Sequence, residues 1–352
     1  MRPSLPIALA CVALACVSCP PEPPLELPRP ALDDVEYWAY QIQGIERSDA
    51  VTKLENSRYD MLVLEPTRTD VSSEETSGFD TAAMVQRMKA SAGHDGGYRK
   101  LVLAYIDIGE AEDWRWYWKW SAVWPAGEPR PADWPAYIVK PDPGGWAGDY
   151  PVAYWDPAWK DIVINGVTDS GQPYNSILDE VITDGFDGVY LDWIEAFEDT
   201  DVYAAAQAAG KDPAAEMIAF MREIRAYAVQ HGKTDFIIIQ QNAANLIEGH
   251  PELVASPRVI DAIAQEGIWY YGDAADEWSD PGGYDIATEE LLTGYYLEYL
   301  DQYKDAGLPV FACEYAVQHA ASAYARARGY GFIPYVTRTP LSRLTITTPP
   351  GY

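Results

Sequence analysis

The chain is predicted to fold as a (β/α)8 TIM barrel with a long aromatic insertion after its third strand. Three observations lead there. Eight short apolar runs alternate with amphipathic stretches of helical period. Most of the runs are continuously apolar, as strands buried on both faces of a parallel sheet must be. No G-x-G-x-x-G or P-loop follows an early run, whereas a nucleotide-binding doubly wound sheet carries one. That open sheet is the competing architecture, and strand count and length favour the barrel.

Residues 1–18, "MRPSLPIALACVALACVS", place one Arg before a short apolar run that ends in small residues. This is the pattern of a secretory signal, too short to span a membrane. Residues 19–34 form a Pro-rich tether that begins at a cysteine. A cysteine at the end of an apolar run, followed by a stiff polar stretch, predicts a lipid anchor at Cys19, with Cys16 as the alternative. Ordinary cleavage without lipidation is the simpler possibility. The barrel domain is predicted over 35–340. Its strands are "VEYWAYQIQ" (35–43), "YDMLVLE" (59–65), "KLVLAYID" (100–107), "FDGVYLD" (186–192), "DFIIIQQN" (235–242), "RVIDAIAQE" (258–266), "PVFACEY" (309–315) and "GYGFIPYV" (329–336). Helices fill the gaps. "SDAVTKLENS" offers Ser48 or Asp49 as N-cap, and helical stretches later in the chain end on Gly232, Gly307 and Gly329. Residues 113–156 are the aromatic, Pro- and Gly-rich insertion, on the face where barrels do chemistry. Residues 341–352 read as a tail with no helix signal.

Composition narrows the function classes. With 352 residues, 48% of them hydrophobic, the chain can bury a full core. A net charge of −29 argues against nucleic acid and anionic membrane surfaces as partners. Any membrane contact is expected only through the N-terminal anchor. The same charge would attract a cationic substrate, and it also serves plain solubility. Thirteen Trp and 25 Tyr are enough both to fill a core and to line a sugar site. Three of the four cysteines lie in the leader region, and only Cys313 belongs to the body, so an internal disulfide or a Cys-based zinc site is excluded there.

Chemistry is sought where the strands end, because in a barrel those ends converge on one mouth. The ends carry Glu65, Asp107 with Glu110 just beyond it, Asp192, Gln240 to Asn242, Glu266, and Glu314 beside Tyr315, and strand eight ends near Tyr335. His94, His231, His250 and His319 all fall away from strand ends, which argues against a His-rich hydrolytic metal site. No G-x-S-x-G elbow is present. What remains is a ring of carboxylates among aromatics, the requirement for glycoside hydrolysis. A hard-cation site of Mg²⁺ or Ca²⁺ is the chemical rival. Neither a metal nor an organic cofactor is expected. Asp192 closes "DGVYLDWIEAFED", and Glu266 stands before Gly267 in "AQEGIWYYGD", where Trp269 and Tyr270 suggest a sugar subsite. Tyr40, Glu65, Asp107, Glu110, Trp193, Gln240, Asn242, Trp269, Glu314, Tyr315 and Tyr335 are the expected substrate contacts. The density of Trp114, Trp116, Trp118, Trp120, Trp124 and Trp134 implies that some of them are exposed.

In order along the chain stand "YWAYQIQ", "AYIDIGEAEDWRWYW", "WDPAWKDIV", "GFDGVYLDWIEAFE", "IIIQQNAANL" and "GYGFIPYV". Together they resemble the endo-α-1,4-polygalactosaminidase-like glycoside hydrolases (glycoside hydrolase family 114), secreted (β/α)8 proteins, over most of residues 37–336. The resemblance implies a catalytic Asp ending strand four, here Asp192, and a catalytic Glu ending strand six, here Glu266. It implies an O-glycosidase acting on α-1,4-linked galactosamine-type polysaccharide. Three departures bear on the sugar: strand two ends in "LEPTRTD", strand seven in "CEY", and strand five in "QQNAAN" rather than a Gly-containing pattern. A non-catalytic carbohydrate-binding barrel on the cell surface is the alternative reading.

Overall fold

The computed structural model describes residues 27–66, 78–120, 123–125, 127–141, 148–273, 278 and 285–352. Cys19 and the leader lie outside the described residues. Eight parallel strands form one sheet in sequence order: β1 (Trp38–Gln41), β2 (Met61–Leu64), β3 (Leu101–Asp107), β4 (Gly188–Asp192), β5 (Ile237–Gln241), β6 (Ala262–Glu266), β7 (Val310–Glu314) and β8 (Ile333–Val336). Every strand from β2 to β7 is hydrogen-bonded to both neighbours, and almost every strand residue is buried. That is why the runs read as continuously apolar. The sheet curls until β1 meets β8, where the Trp38 indole donates to the Ile333 carbonyl at 2.9 Å.

The barrel interior is aromatic. The Trp38 ring touches Tyr40, Tyr190, Phe311 and Tyr335, with centroids 5.4–6.3 Å apart. Tyr40 in turn lies 5.0 Å from Tyr190 and 6.2 Å from Tyr105. These rings from β1, β3, β4, β7 and β8 plug the barrel beneath its mouth. Gly188 marks how tightly β4 and β5 approach: a Cβ there would stand 2.2 Å from the Ile237 carbonyl oxygen.

The helices follow their local signals: α1 (Ala50–Asn56), α2 (Thr81–Lys89), α3 (Pro157–Lys160), α4 (Ile177–Asp184), α5 (Thr200–Ala208), α6 (Pro213–Gln230), α7 (Glu290–Asp305) and α8 (Ala320–Gly329). The side chains of Asp80, Ser176 and Asp212 each accept a first-turn amide and so cap α2, α4 and α6. Asp49 occupies the cap position of α1, but its carboxylate reaches forward to Lys53 at 2.5 Å instead. Among the described residues no helix is long and apolar enough to cross a membrane.

Two segments differ from the expectation. In the aromatic insertion, none of Trp114, Trp116, Trp118, Trp120, Trp124 and Trp134 is fully exposed. Trp118 stacks on Tyr150 and meets Trp120 and Trp134 edge-on, 4.9–5.1 Å apart. Tyr137 and Tyr117 close on Trp159. The aromatics there pack on one another, as edge-to-face rings favour, and extend the barrel's core outward. The tail at 341–352 is docked. The Leu341 carbonyl accepts the amides of Ile42 and Gln43 near the mouth. At the other end of the barrel the Tyr352 hydroxyl accepts the Arg58 amide at 2.8 Å, and its ring packs on Tyr59. The tail thus runs beside β1 and β8.

Candidate active site

A cavity of about 720 Å³ opens at the carboxyl ends of the strands, within the size range of small-molecule sites. Asp192 ends β4 and Glu266 ends β6, and both line it. Register sets their height: Asp192 pairs with Asp107 across β3–β4, and Glu266 with Cys313 across β6–β7. The Tyr105 hydroxyl donates to Asp192 Oδ2 at 2.5 Å, and the Trp193 amide to Oδ1 at 2.7 Å. That second bond requires the chain to turn at once. Trp193 has φ 52°, a left-handed conformation uncommon for a bulky residue. Gly109 makes room for it, since a Cβ there would lie 2.3 Å from the Trp193 carbonyl oxygen.

Glu266 is held in a matching way. The Tyr315 hydroxyl donates to Oε1 at 2.7 Å, and the Asn242 amide reaches Oε2 at 3.4 Å. Asn242 Oδ1 accepts the Glu266 backbone amide at 2.8 Å, which fixes the asparagine in return. Asn242 and Ala243 both have positive φ, so β5 ends as sharply as β4 does. Burial raises the pKa of both carboxyls. For Asp192 the charge of Glu266 adds to it, and together they lift the group to about 7. The titration of Asp192 is therefore tied to the charge on Glu266.

More acid surrounds the pair. Glu195 faces the same cavity; burial and then the charge of Asp192 push it up to about 8, and its Oε2 has no hydrogen-bond partner among the described residues. On the β3 side, Asp107 Oδ1 accepts the Gly109 and Glu110 amides at 2.9 and 2.8 Å and shapes the turn after its strand. A short antiparallel pair, Glu110–Glu112 with Asp149–Pro151, brings Glu110 and Asp149 to the rim. Burial, then Glu112 and Glu110, raise Asp149 to about 10. Arg115 offsets part of this charge: it grips Glu112 at 2.5 and 2.8 Å and pairs with Glu65. Among the described residues no group of three or more His, Cys, Asp or Glu side chains is arranged to hold a metal ion.

Carboxyls ending the fourth and sixth strands of a parallel barrel, over a cavity ringed with acid, are a glycosidase-like arrangement. The model of glycoside hydrolase family GH114 matches residues 31–349. The chain belongs to glycoside hydrolase family GH114. An uncharacterised protein of Deinococcus radiodurans is 33% identical over 335 residues, covering 95% of this chain and 89% of the relative. The uncharacterised protein MJ1477 of Methanocaldococcus jannaschii is 29% identical and covers 86% of this chain and 75% of its own. Among solved structures, the glycoside hydrolase domain of PelA from Pseudomonas aeruginosa superposes with a TM-score of 0.58 at 18% identity, covering 87% of this chain and 96% of that domain. Aspergillus fumigatus Ega3, in complex with galactosamine, gives 0.53 at 14% identity, with 88% and 94% covered. These two likenesses show the shared barrel.

Within this GH114 barrel, Tyr40, Glu65, Asp107, Glu110, Trp193, Asn242 and Tyr315 line the cavity with Asp192 and Glu266. Four expected contacts do not. Gln240 faces outward and braces the β5 turn, donating to the carbonyls of Asn242 and Ala243 at 2.8 and 2.9 Å; its neighbour Gln241 lines the cavity instead. Glu314 is fully buried on the outer side of β7, where it accepts the amides of Ile268, Trp269 and Tyr270. Both errors are one residue of strand phase, and one residue reverses the face. Trp269 packs against Tyr330 and Phe332 away from the cavity, so it neither stacks on a ligand nor covers Glu266. Tyr335 lies inside the barrel below the mouth, its hydroxyl accepting the Thr345 amide. Tyr105 and Asp149 escaped the sequence reading. Tyr105 stands two residues before Asp107, hence on the same strand face; nothing local marks Asp149.

Proposed function

We propose that this protein is an endo-acting glycosidase of α-1,4-linked galactosamine-type polysaccharide, with Asp192 as nucleophile and Glu266 as general acid and base. The observation that carries the reading is the pair itself: two carboxyls facing one cavity, each bound by a tyrosine hydroxyl, with proton affinities raised by burial. The reaction requires this pair to share one proton. Asp192 receives the two shorter donors, which favour its ionised form. The charge of Glu266 that raises Asp192 disappears once Glu266 carries the proton. Asp192 then attacks the anomeric carbon, the glycosidic C–O bond breaks, and the Glu266 proton passes to the leaving oxygen. Water enters, gives a proton to Glu266, and displaces Asp192 from the sugar. The outcome is retention of configuration. The ring of Glu65, Glu110, Asp149 and Glu195 suits a sugar bearing an amine, as does the net charge of −29. Ega3 in complex with galactosamine points the same way. Release of reducing ends from partly deacetylated galactosaminan tests the activity, and retention of the polymer without release would favour a binding barrel.

The Tyr315 hydroxyl lowers the proton affinity of Glu266. Tyr315→Phe should therefore move the alkaline limb of kcat/KM to higher pH while lowering its plateau. An unchanged limb would separate Glu266 from the proton-donating role. We further place the mature protein at the cell envelope, tethered through a lipidated Cys19. Its intact mass should exceed that of the bare polypeptide from Cys19 by the mass of the lipid. An unmodified N-terminus would remove the anchor.

A further inference from the structure

The first turns of α7 carry an apolar and aromatic face toward solvent. Leu291 is 85% exposed, Leu292 41% and Tyr295 40%. The Tyr295 ring meets those of Tyr299 and Tyr296 edge-on, 5.0 and 6.2 Å apart. The fully buried residues of the helix are Leu300 and Tyr303; Tyr296 and Tyr299 lean partly on the core at the edge of this face, while Leu291, Leu292 and Tyr295 stand out from it. Gly294 sits within it, and a Cβ there would meet nothing within 4 Å. A glycine inside a helix costs about 1 kcal/mol against alanine, and here no packing neighbour requires it.

Two things connect this face to the catalytic mouth. The Thr293 hydroxyl donates to the Ile268 carbonyl at 2.6 Å, and the Thr288 hydroxyl to the Gly267 carbonyl at 2.6 Å. Gly267 is the residue after Glu266, so the start of α7 is fastened beside the catalytic carboxyl. The Tyr296 phenol is raised by burial and then by Glu195, with Glu198 and Glu266 also contributing. Its hydroxyl thus stands within the field of the cavity and of the surface beyond it. Carboxylates flank the rings: Tyr299 donates to Glu248 at 2.7 Å, and Asn245 holds Glu198. Tyrosine faces flanked by fixed carboxylates match a polymer with apolar ring faces and cationic amines.

We propose that the Leu291–Tyr299 face of α7 is a run of sugar subsites that carries a cationic amino-sugar chain outward from the cavity. The rings of Tyr295 and Tyr299 are stacking platforms, and Glu198 and Glu248 receive the amines. The eight steps from Leu291 to Tyr299, at 1.5 Å each, span about 12 Å, room for roughly two sugar rings. The inference rests on the glycosidase reading above, and its test separates the two.

The test compares wild type, Tyr295→Ala/Tyr299→Ala and Gly294→Leu on long, partly deacetylated galactosaminan and on its trisaccharide. Gly294→Leu fills the open face with a good helix former, so loss of folding does not confuse the result. Tyr295→Ala/Tyr299→Ala should raise KM for the polymer by about tenfold, the scale of two lost ring contacts; Gly294→Leu should raise it too by obstructing the platform, and both should leave trisaccharide kinetics within twofold. Equal loss on both substrates, or none on either, overturns the proposal. If the wild type cleaves neither, the glycosidase reading fails by itself, and retention in gels containing the polymer decides the α7 surface with the same variants. Retention that the variants leave unchanged overturns it. Sedimentation is measured in parallel. A wild-type dimer that the variants dissociate, with polymer affinity intact, assigns the face to contact between two copies and overturns the proposal too.

Discussion

Asp192→Asn and Glu266→Gln should each lower kcat by about 10²–10⁴-fold or more, with melting temperature preserved or raised. Each variant keeps the shape of the side chain and removes a buried charge. Asp192→Asn retains the contact to the Tyr105 hydroxyl but has no carboxylate to attack the anomeric carbon. Glu266→Gln retains the contact to Tyr315 and has no proton to give. The two losses differ in a diagnostic way. A substrate with an activated leaving group needs no general acid, so Glu266→Gln should recover on it in the glycosylation step, while Asp192→Asn should not. Azide should rescue Asp192→Gly by yielding a glycosyl azide of inverted configuration. Wild-type turnover in both variants would move the chemistry to Asp107, Glu110 or Glu195, which also line the cavity.

The largest loss of stability is expected at the opposite end of β4. Asp187→Ala should cost about 3 kcal/mol, because it removes a buried carboxylate and strands the half-buried Arg99 and Lys89 and the Val102 amide beside it. The Asp187 carboxylate takes two bonds from Arg99 at 2.7 and 2.8 Å, one from the Val102 amide at 3.0 Å, and pairs with Lys89 at 3.0 Å. Burial alone would raise its pKa, yet Arg99 and Lys89 hold it below the usual carboxylate range. A depressed native pKa gives stability that is present above the unfolded value, about 3.9, and lost as pH falls through the native one. The gap between wild type and variant should therefore narrow below about pH 4. The mouth, and the buried Glu314 behind it, have the opposite sign. Asp192 at about 7, Glu195 and Glu314 at about 8, and Asp149 at about 10 are raised in the fold. Their contribution is complete below the unfolded pKa and lost as pH rises through those values. Chemical denaturation across pH should find maximal stability in mild acid. A maximum above pH 8 would show that the mouth carboxyls are not buried as described.

The strands were legible because each is buried on both faces and reads as an apolar block. The same property hid their phase. In "DFIIIQQN" both parities are apolar, so nothing distinguishes the outward Gln240 from the inward Gln241, and "PVFACEY" treats Glu314 and Tyr315 alike. Asp192 escaped this ambiguity because it is a carboxylate directly after apolar residues, and Glu266 because it is the charge that closes its run before Gly267. Trp269 misled for another reason. An aromatic close in sequence to a rim carboxyl can turn either way, and here it joined Tyr330 and Phe332 in the outer layer. The left-handed turn at Trp193 was not readable, since no glycine or asparagine announces it. The docking of residues 341–352 depends on contacts with β1, α8 and the chain before β2, some 300 positions away in places, which no local pattern encodes.

The aromatic plug inside the barrel divides the molecule into two tiers of evolvability. Trp38, Tyr40, Tyr190, Phe311 and Tyr335 interlock across the barrel, so a change of volume in one is felt by the others. Above that tier, Trp114, Glu195 and Thr339 come from separate loops and turns. They can be exchanged one at a time without disturbing the strands. A lineage built on this barrel can change the sugar it recognises through the upper tier alone. Its diversity should therefore concentrate there, and the plug should change, if at all, only by compensating substitutions made together.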